Sequence, residues 1–190
     1  FLSTADRQAA TELLAQKGFD PLKPVIAINP GATGGTAKRW FPERYAALAR
    51  KLNLKYGVQI LIFGGPSDHE LGEYIKDKAE GSCINIAGQT SLGQAFALIE
   101  QCSLFVTNDS GLMHAAAALN VSQVAIIGST DFVATAPANP NSIMVRVPVD
   151  CSPCLKDTCP TDHRCMERIH VDMVMQSCDA LLDKIVTAEI

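Results

Sequence analysis

Four apolar runs, each closed by a small or polar turn and each followed by a helical pattern, limit what this chain can fold into. They are Val25–Ile28, Val58–Phe63, Leu104–Thr107 and Gln123–Ile127. Runs without strict apolar–polar alternation mark strands covered on both faces. Helical spacing fills the intervals. Ser3 or Thr4 caps a first helix that runs through Leu13 and Leu14 to Lys17 and stops at Gly18. Pro42 opens a second, with Phe41, Tyr45, Leu48 and Leu52 at helical spacing. A third covers about Asp68 to Lys78, and Ser91 caps a fourth whose apolar face is Leu92, Ala95, Phe96, Ile99 and Cys102. Ile84–Ile86 and Ile143–Val147 read as further short strands, and Val171, Val174, Cys178, Leu181 and Ile185 line a closing helix. This alternation predicts the α/β class: a doubly wound, Rossmann-like parallel sheet with helices on both faces. Ligands in such a sheet bind at the carboxyl ends of the strands, here the turns at 29–39, 64–68, 108–111 and 128–140.

With 190 residues, 47% of them apolar, the chain suffices for one domain with a proper core. A formal net charge of −4, with Lys and Arg dispersed, argues against general nucleic-acid binding. No apolar run reaches membrane-spanning length. Arg44, Arg50, Lys51 and Lys55 share one helix. Such a basic face can touch anionic headgroups, but a solvated face is the preferred reading. No leader is visible, and a start at Phe1-Leu2 without Met reads as the interior of a longer protein. Seven cysteines, an odd number beside an adequate core, favour a reducing compartment.

The most informative stretch is Asn108-Asp109-Ser110-Gly111-Leu112-Met113-His114, between a strand and an alanine-rich helix. A helix start presents unpaired N–H groups and the positive end of a dipole, which suits a phosphate. Asp109, Ser110 and His114 add side chains within one turn. Plain capping by Asp109 and Ser110, and a satisfied helix histidine at His114, are the bland alternative; the density of polar groups at a strand end favours a ligand. Gly31–Lys38 is the second candidate. Its glycines admit close approach of amides to an anion, Thr33 and Thr36 supply hydroxyls, and Lys38 supplies charge. It is neither a Walker A loop nor a G-x-G-x-x-G fingerprint, and a flexible surface loop is the alternative. The turn Gly64–Glu70 puts Asp68 and Glu70 where acidic groups hold ribose hydroxyls, or where they cap a helix.

Cys151, Cys154, Cys159 and Cys165, with His163, fall within fifteen residues. Thiolates so spaced can close a tetrahedral zinc site or hold an iron–sulfur cluster; reduced thiols or disulfides are the alternatives. Catalysis by these cysteines is disfavoured, because His163 shares their loop and no separate base stands out. No Asp-x-Asp triplet occurs. Charge on a leaving diphosphate is then met by Lys38, hydroxyls and helix amides rather than by a divalent metal.

Asn29-Pro30-Gly31-Ala32 with Lys38-Arg39-Trp40, then Phe63-Gly64-Gly65 with Asp68-His69-Glu70, then Asn108 through His114, resemble in this order glycosyltransferase family 9. Within it the resemblance is to the ADP-heptose:lipopolysaccharide heptosyltransferases, the heptosyltransferase II group in particular. It runs from Val25 to the final helix, and a cysteine-bearing stretch ending His163-Arg164-Cys165-Met166 recurs in some members. The resemblance implies the C-terminal, nucleotide-sugar-binding half of a GT-B glycosyltransferase, in which two Rossmann-like domains face a cleft. It implies that Lys38 with Thr33 or Thr36 holds the diphosphate and that Glu70 or Asp68 holds the ribose. Asp109, Ser110, Gly111, Leu112 and His114 then line diphosphate and heptose.

The implied reaction is inverting transfer of heptose from ADP-heptose to the lipid A–core acceptor, on the cytoplasmic side of the inner membrane. At most peripheral membrane contact is implied. No cofactor is required, and zinc at Cys151, Cys154, Cys159 and Cys165 is a structural option. The acceptor-binding domain and its acidic general base have no counterpart here, so no catalytic residue is assigned, and the chain alone is expected to bind nucleotide but transfer little or no sugar. The expected organisation over 1–190 is a linker and first helix (1–23), a Rossmann-like core (24–150), a cysteine-rich loop (151–168) and a closing helix (169–190). The rival readings are a GT-B transferase using another nucleotide sugar, and a non-catalytic nucleotide- or metal-binding module.

Overall fold

The computed structural model describes residues 2–188, with side chains through 183; Phe1, Glu189, Ile190 and the side chain expected of Ile185 lie outside the described residues. The strands are β1 (Val25–Asn29), β2 (Gln59–Ile62), β3 (Cys83–Asn85), β4 (Leu104–Asn108), β5 (Gln123–Ile126) and β6 (Ser142–Val145). They form one six-stranded sheet in the order β3-β2-β1-β4-β5-β6, with every pairing parallel. The helices are α1 (Thr4–Gln16), α2 (Pro42–Tyr56), α3 (His69–Lys78), α4 (Leu92–Glu100), α5 (Gly111–Ala118), α6 (Arg164–Glu167) and α7 (Val171–Ala188).

Period-two alternation along each strand explains the unbroken apolar runs, because successive side chains leave on opposite faces and both faces are covered. Ile26, Ile28, Ile60, Ile62, Leu104 and Val106 pack with Leu48 and Leu52 of α2, Ile75 of α3 and Val174 and Cys178 of α7. Val25, Ala27, Leu61, Phe63 and Phe105 pack instead with Ala10 of α1, Leu98 of α4 and Ala116 of α5. Local chemistry sets the helix ends. Ser3 Oγ accepts from Asp6 N at 3.1 Å. Ser91 and Gln94 cap each other reciprocally at the start of α4. Gly57, at φ 64°, closes α2 in the left-handed conformation that favours glycine.

One expectation fails on contact with the packing. Leu92 is not part of the buried face of α4; it is 65% exposed, because the first turn of α4 stands at the rim of a cleft. The basic residues of α2 lie on a solvated face as read, with the Lys51 and Lys55 side chains about half exposed, and meet carboxylates and chain ends of neighbouring elements there. Arg44 donates to the carbonyls of Met166, Glu167 and Ile169. Lys51 pairs with Asp172 at 2.6 Å and Lys55 with Asp179 at 2.9 Å. Arg50 bonds the Lys78 carbonyl and pairs with Glu80. These cations tie helices together and are not free for headgroups. No described helix is long and apolar enough to cross a membrane.

Gly72 in α3 lies directly against Asn85, whose carboxamide donates to the His69 carbonyl and to Glu73 and accepts from Ala87 N. Gly to Ala in a helix interior ordinarily stabilises by about 1 kcal/mol. A Cβ here would overlap Asn85 Oδ1. Gly72→Ala is therefore expected to destabilise by about 1–3 kcal/mol, read as a lower urea midpoint.

Candidate functional site

Chain order reverses between β1 and β4, which are neighbours in the sheet. The connections that follow them pass on opposite faces through α2 and α5, which leaves a crevice at the carboxyl edge. A cleft of about 360 Å³ opens there. The loop after β1 contributes Asn29, Gly31, Ala32 and Thr33, and the turn after β2 contributes Gly64, Gly65 and Asp68. Leu92 and Phe96 of α4 form one wall, and Ser110, Gly111 and Leu112 bring the start of α5 to the other.

Ser110 holds the N-cap position with φ −151° and ψ 168°, yet its side chain makes no capping bond. Its hydroxyl accepts from Asn29 Nδ2 at 2.9 Å and lies 3.3 Å from Thr107 Oγ1. No side chain among the described residues caps α5, so its first amides face the cleft with the positive end of the helix dipole behind them. Asn108 joins the two sides of this arrangement. Its Oδ1 accepts from Trp40 N and from the Tyr45 hydroxyl, both at 3.0 Å, and its Nδ2 donates to the Pro30 carbonyl at 2.7 Å. Burial pushes the Tyr45 phenol well above its ordinary pKa, so it remains a donor. Trp40 Nε1 in turn donates to the Ile169 carbonyl at 2.9 Å.

Buried polar side-chain atoms without partners occur at both ends of the sheet: Arg39 Nε, Asp109 Oδ2, Ser129 Oγ and Thr130 Oγ1 beyond the carboxyl ends of β1, β4 and β5, and the Gln123 carboxamide and Ser142 Oγ at the starts of β5 and β6. Arg39 Nη2 stands 3.3 Å from Asp68 Oδ1, and Asp68 Oδ2 accepts from Gly65 N at 3.1 Å.

Of the residues picked from sequence, Thr33, Asp68, Ser110, Gly111 and Leu112 come together in the cleft. Asp109 is buried immediately behind Ser110. Thr36 and His114 are exposed and Lys38 is half-buried, all outside the lining; among the described residues no carboxylate lies within ion-pair distance of Lys38. Glu70 is exposed on the first turn of α3 and does not reach the cleft. Sequence reasoning missed the tying roles of Asn29 and Asn108, the placement of Arg39, and Phe96 as a wall. Both asparagines stood in the motifs at the ends of the two central strands, but nothing in the sequence showed which groups their side chains hold.

The cysteine segment folds around a cavity of its own. Cys151, Cys154, Cys159 and Cys165 line one cavity of about 250 Å³ together with His163, and all are free thiols. Yet among the described residues no group of three or more His, Cys, Asp or Glu is arranged to hold a metal ion. The thiols sit at different depths, Cys151 exposed and Cys165 buried. Backbone bonds hold the segment instead: Cys154 N and Leu155 N donate to the Ser129 carbonyl, and the Asp157 carbonyl accepts from Ala37 N.

Residues 2–164 match the family described as glycosyltransferase family 9 (heptosyltransferase). The chain belongs to this family. It is 37% identical over 166 residues to lipooligosaccharide heptosyltransferase 2 of Campylobacter jejuni, covering 84% of this chain and 51% of that protein. To lipopolysaccharide heptosyltransferase 2 of Escherichia coli K12 it is 43% identical over 129 residues, 66% of this chain and 37% of that one. The solved structure of E. coli ADP-heptose lps heptosyltransferase II superposes with a TM-score of 0.80 at 33% identity, over 97% of this chain and 53% of that chain. This family-9 chain thus spans about half the length of the curated relative first named, and its single Rossmann-like sheet corresponds to one part of that solved glycosyltransferase.

Asn108→Ala should cost about 2–4 kcal/mol in urea unfolding, because it strands the buried Trp40 N–H and leaves a void. Thiol labelling gives a second check. Hydrogen bonds from the Thr161 hydroxyl and from the N–H groups of Thr161 and His163 hold the Cys159 thiol below its ordinary pKa. Burial pushes Cys83 up to about 11 and Cys102 to about 12, and raises Cys178. The thiolate is the nucleophile, so Cys159 should react with iodoacetamide in folded protein at pH 8, and Cys83, Cys102 and Cys178 only after unfolding; peptide mapping reads the order.

Proposed function

We propose that this chain is the donor-binding half of an inverting heptosyltransferase, which moves heptose from ADP-heptose to the inner core of lipopolysaccharide. The observation that carries this reading is the uncapped start of α5, opening with the Ser110 hydroxyl on the same cleft as Thr33 and the Gly64-Gly65 turn. Membership of family 9 and the relatives named above support it. The diphosphate lies against the first amides of α5, with Thr33 beside it and Lys38 reaching in from the turn that also carries Thr36. Arg39, whose Nε lacks a partner, supplies a second cation. Asp68, already in the cleft, is better placed than Glu70 to accept from the ribose. Leu112 packs on the donor while Asp109 and His114 serve its sugar end.

Chemistry follows from these placements. As the bond from the sugar carbon to the diphosphate breaks, charge grows on the leaving phosphate. Fixed amides, hydroxyls and Lys38 stabilise that charge without reorganising. No Asp-x-Asp triplet occurs to hold a divalent metal, which supports transfer without a metal or other cofactor. The acceptor hydroxyl of the lipid A–core attacks from the opposite side, and the base that takes its proton belongs to the acceptor-binding half of the enzyme. The acceptor places the work at the cytoplasmic face of the inner membrane, with peripheral contact at most.

Calorimetric titration with ADP tests this. ADP should bind to the chain, with unchanged affinity in EDTA. Lys38→Ala should weaken it by about 10- to 100-fold, the worth of a charge-assisted contact to phosphate, and Asp109→Ala should weaken it as well. Tighter binding of UDP than of ADP would move the donor to another nucleotide sugar. Indifference of ADP binding to both substitutions would remove the transferase reading.

A further inference from the structure

The segment that carries the cysteines does more than enclose a cavity. It holds the turn next to Lys38 by both backbone groups of a single residue. Ala37, at the centre of the 3-10 turn Thr36–Lys38, is 1% exposed. Its N–H donates to the Asp157 carbonyl at 2.9 Å. Its carbonyl lies 2.9 Å from His163 Nε2. A carbonyl only accepts, so this ring carries its proton on Nε2. Gly35, at φ 107°, presses against the Asp157 backbone so closely that a Cβ would overlap the Asp157 carbonyl.

His163 is itself fixed on several sides. It sits in the left-handed region at φ 56° at the start of α6, a conformation uncommon outside glycine. Its carbonyl accepts from Met166 N and Glu167 N, both at 2.9 Å. Its ring meets Phe41, the residue before α2, edge-on at 5.6 Å. It lines the thiol cavity together with Cys159. One imidazole therefore touches the thiol-lined cavity, the start of α2 and the turn that ends in Lys38.

We propose that His163 is a positioning residue for donor binding: its Nε2–H bond to the Ala37 carbonyl sets the Thr36–Lys38 turn and so aims Lys38 at the donor's diphosphate. This rests on the reading above that Lys38 meets that diphosphate. His163 does not touch the donor; it acts through the turn. A side chain that keeps the donor atom at the same reach preserves the effect, and one that keeps only the ring does not.

The test titrates ADP and adenosine against the wild-type chain and against His163→Phe, His163→Gln and Lys38→Ala. His163→Phe retains the stack on Phe41 but has no N–H to give; His163→Gln supplies an amide N–H at similar reach. Loss of one buried hydrogen bond predicts roughly five- to tenfold weaker ADP binding in His163→Phe. Adenosine affinity should be unchanged, and His163→Gln should return ADP affinity to within about twofold. Amide hydrogen exchange at residues 36–38 should rise in His163→Phe and stay low in His163→Gln. Wild-type ADP affinity in a folded His163→Phe chain, or equal loss of ADP and adenosine, overturns the proposal. Should Lys38→Ala leave ADP affinity unchanged, the diphosphate reading fails on its own, and unaltered exchange at 36–38 in His163→Phe then disproves the positioning role separately.

Discussion

The Asn108 carboxamide is hydrogen-bonded on both sides, and the cleft takes its shape from that. β4 ends at Asn108, and its side chain reaches across to the chain leaving β1, holding the Pro30 carbonyl and the amide of Trp40. The two loops that form the floor of the cleft are thereby tied to one rigid strand end. Asn29 repeats the arrangement from the other strand, donating to Thr107 and Ser110. Each central strand thus carries at its last position an amide that fixes the other strand's loop. Sites held by rigid elements in this way need little rearrangement to meet a charged ligand.

Much of the fold was readable because the physics involved is local or periodic. Unbroken apolar runs indicated strands buried on both faces; Ser3 and Ser91 marked helix starts by capping them, and Pro42 by its fit to the first turn. The convergence of Thr33, Asp68 and Ser110 also followed, since a doubly wound sheet places all its βα turns on one edge. What stayed hidden depends on partners distant in the chain. Asn108 reads as an ordinary turn residue until Trp40 and Pro30 stand beside it. Leu92 fits the apolar period of α4 but sits above the cleft. The cations of α2 read as a solvent-facing stripe, and the carboxylates that Lys51 and Lys55 meet on it lie more than a hundred residues away on α7. The cysteine spacing left metal, free thiols and disulfides open, and gave no sign that the loop folds over Ala37 with its thiols at unequal depths.

Electrostatics at this edge is unevenly distributed. Arg39 is partly neutralised by Asp68, while Lys38 has no acidic neighbour among the described residues. The dipole of α5 adds positive potential at its uncapped start, with the Asp109 carboxyl buried directly before Ser110. The start of α5 opens on the cleft, while both cations lie outside its lining.

The anchoring of the cysteine segment has a consequence for how such chains diverge. At one end its backbone hangs from the Ser129 carbonyl, and at the other Arg44 gathers the carbonyls of Met166, Glu167 and Ile169. Between these moorings the span reaches the rest of the protein's backbone at Ala37. Cys165 and Met166 at the far end of this span belong to the core, so changes of length are confined to the stretch before them. The constraint such changes must respect is narrow: every tolerated length has to return one acceptor and one donor to the same peptide.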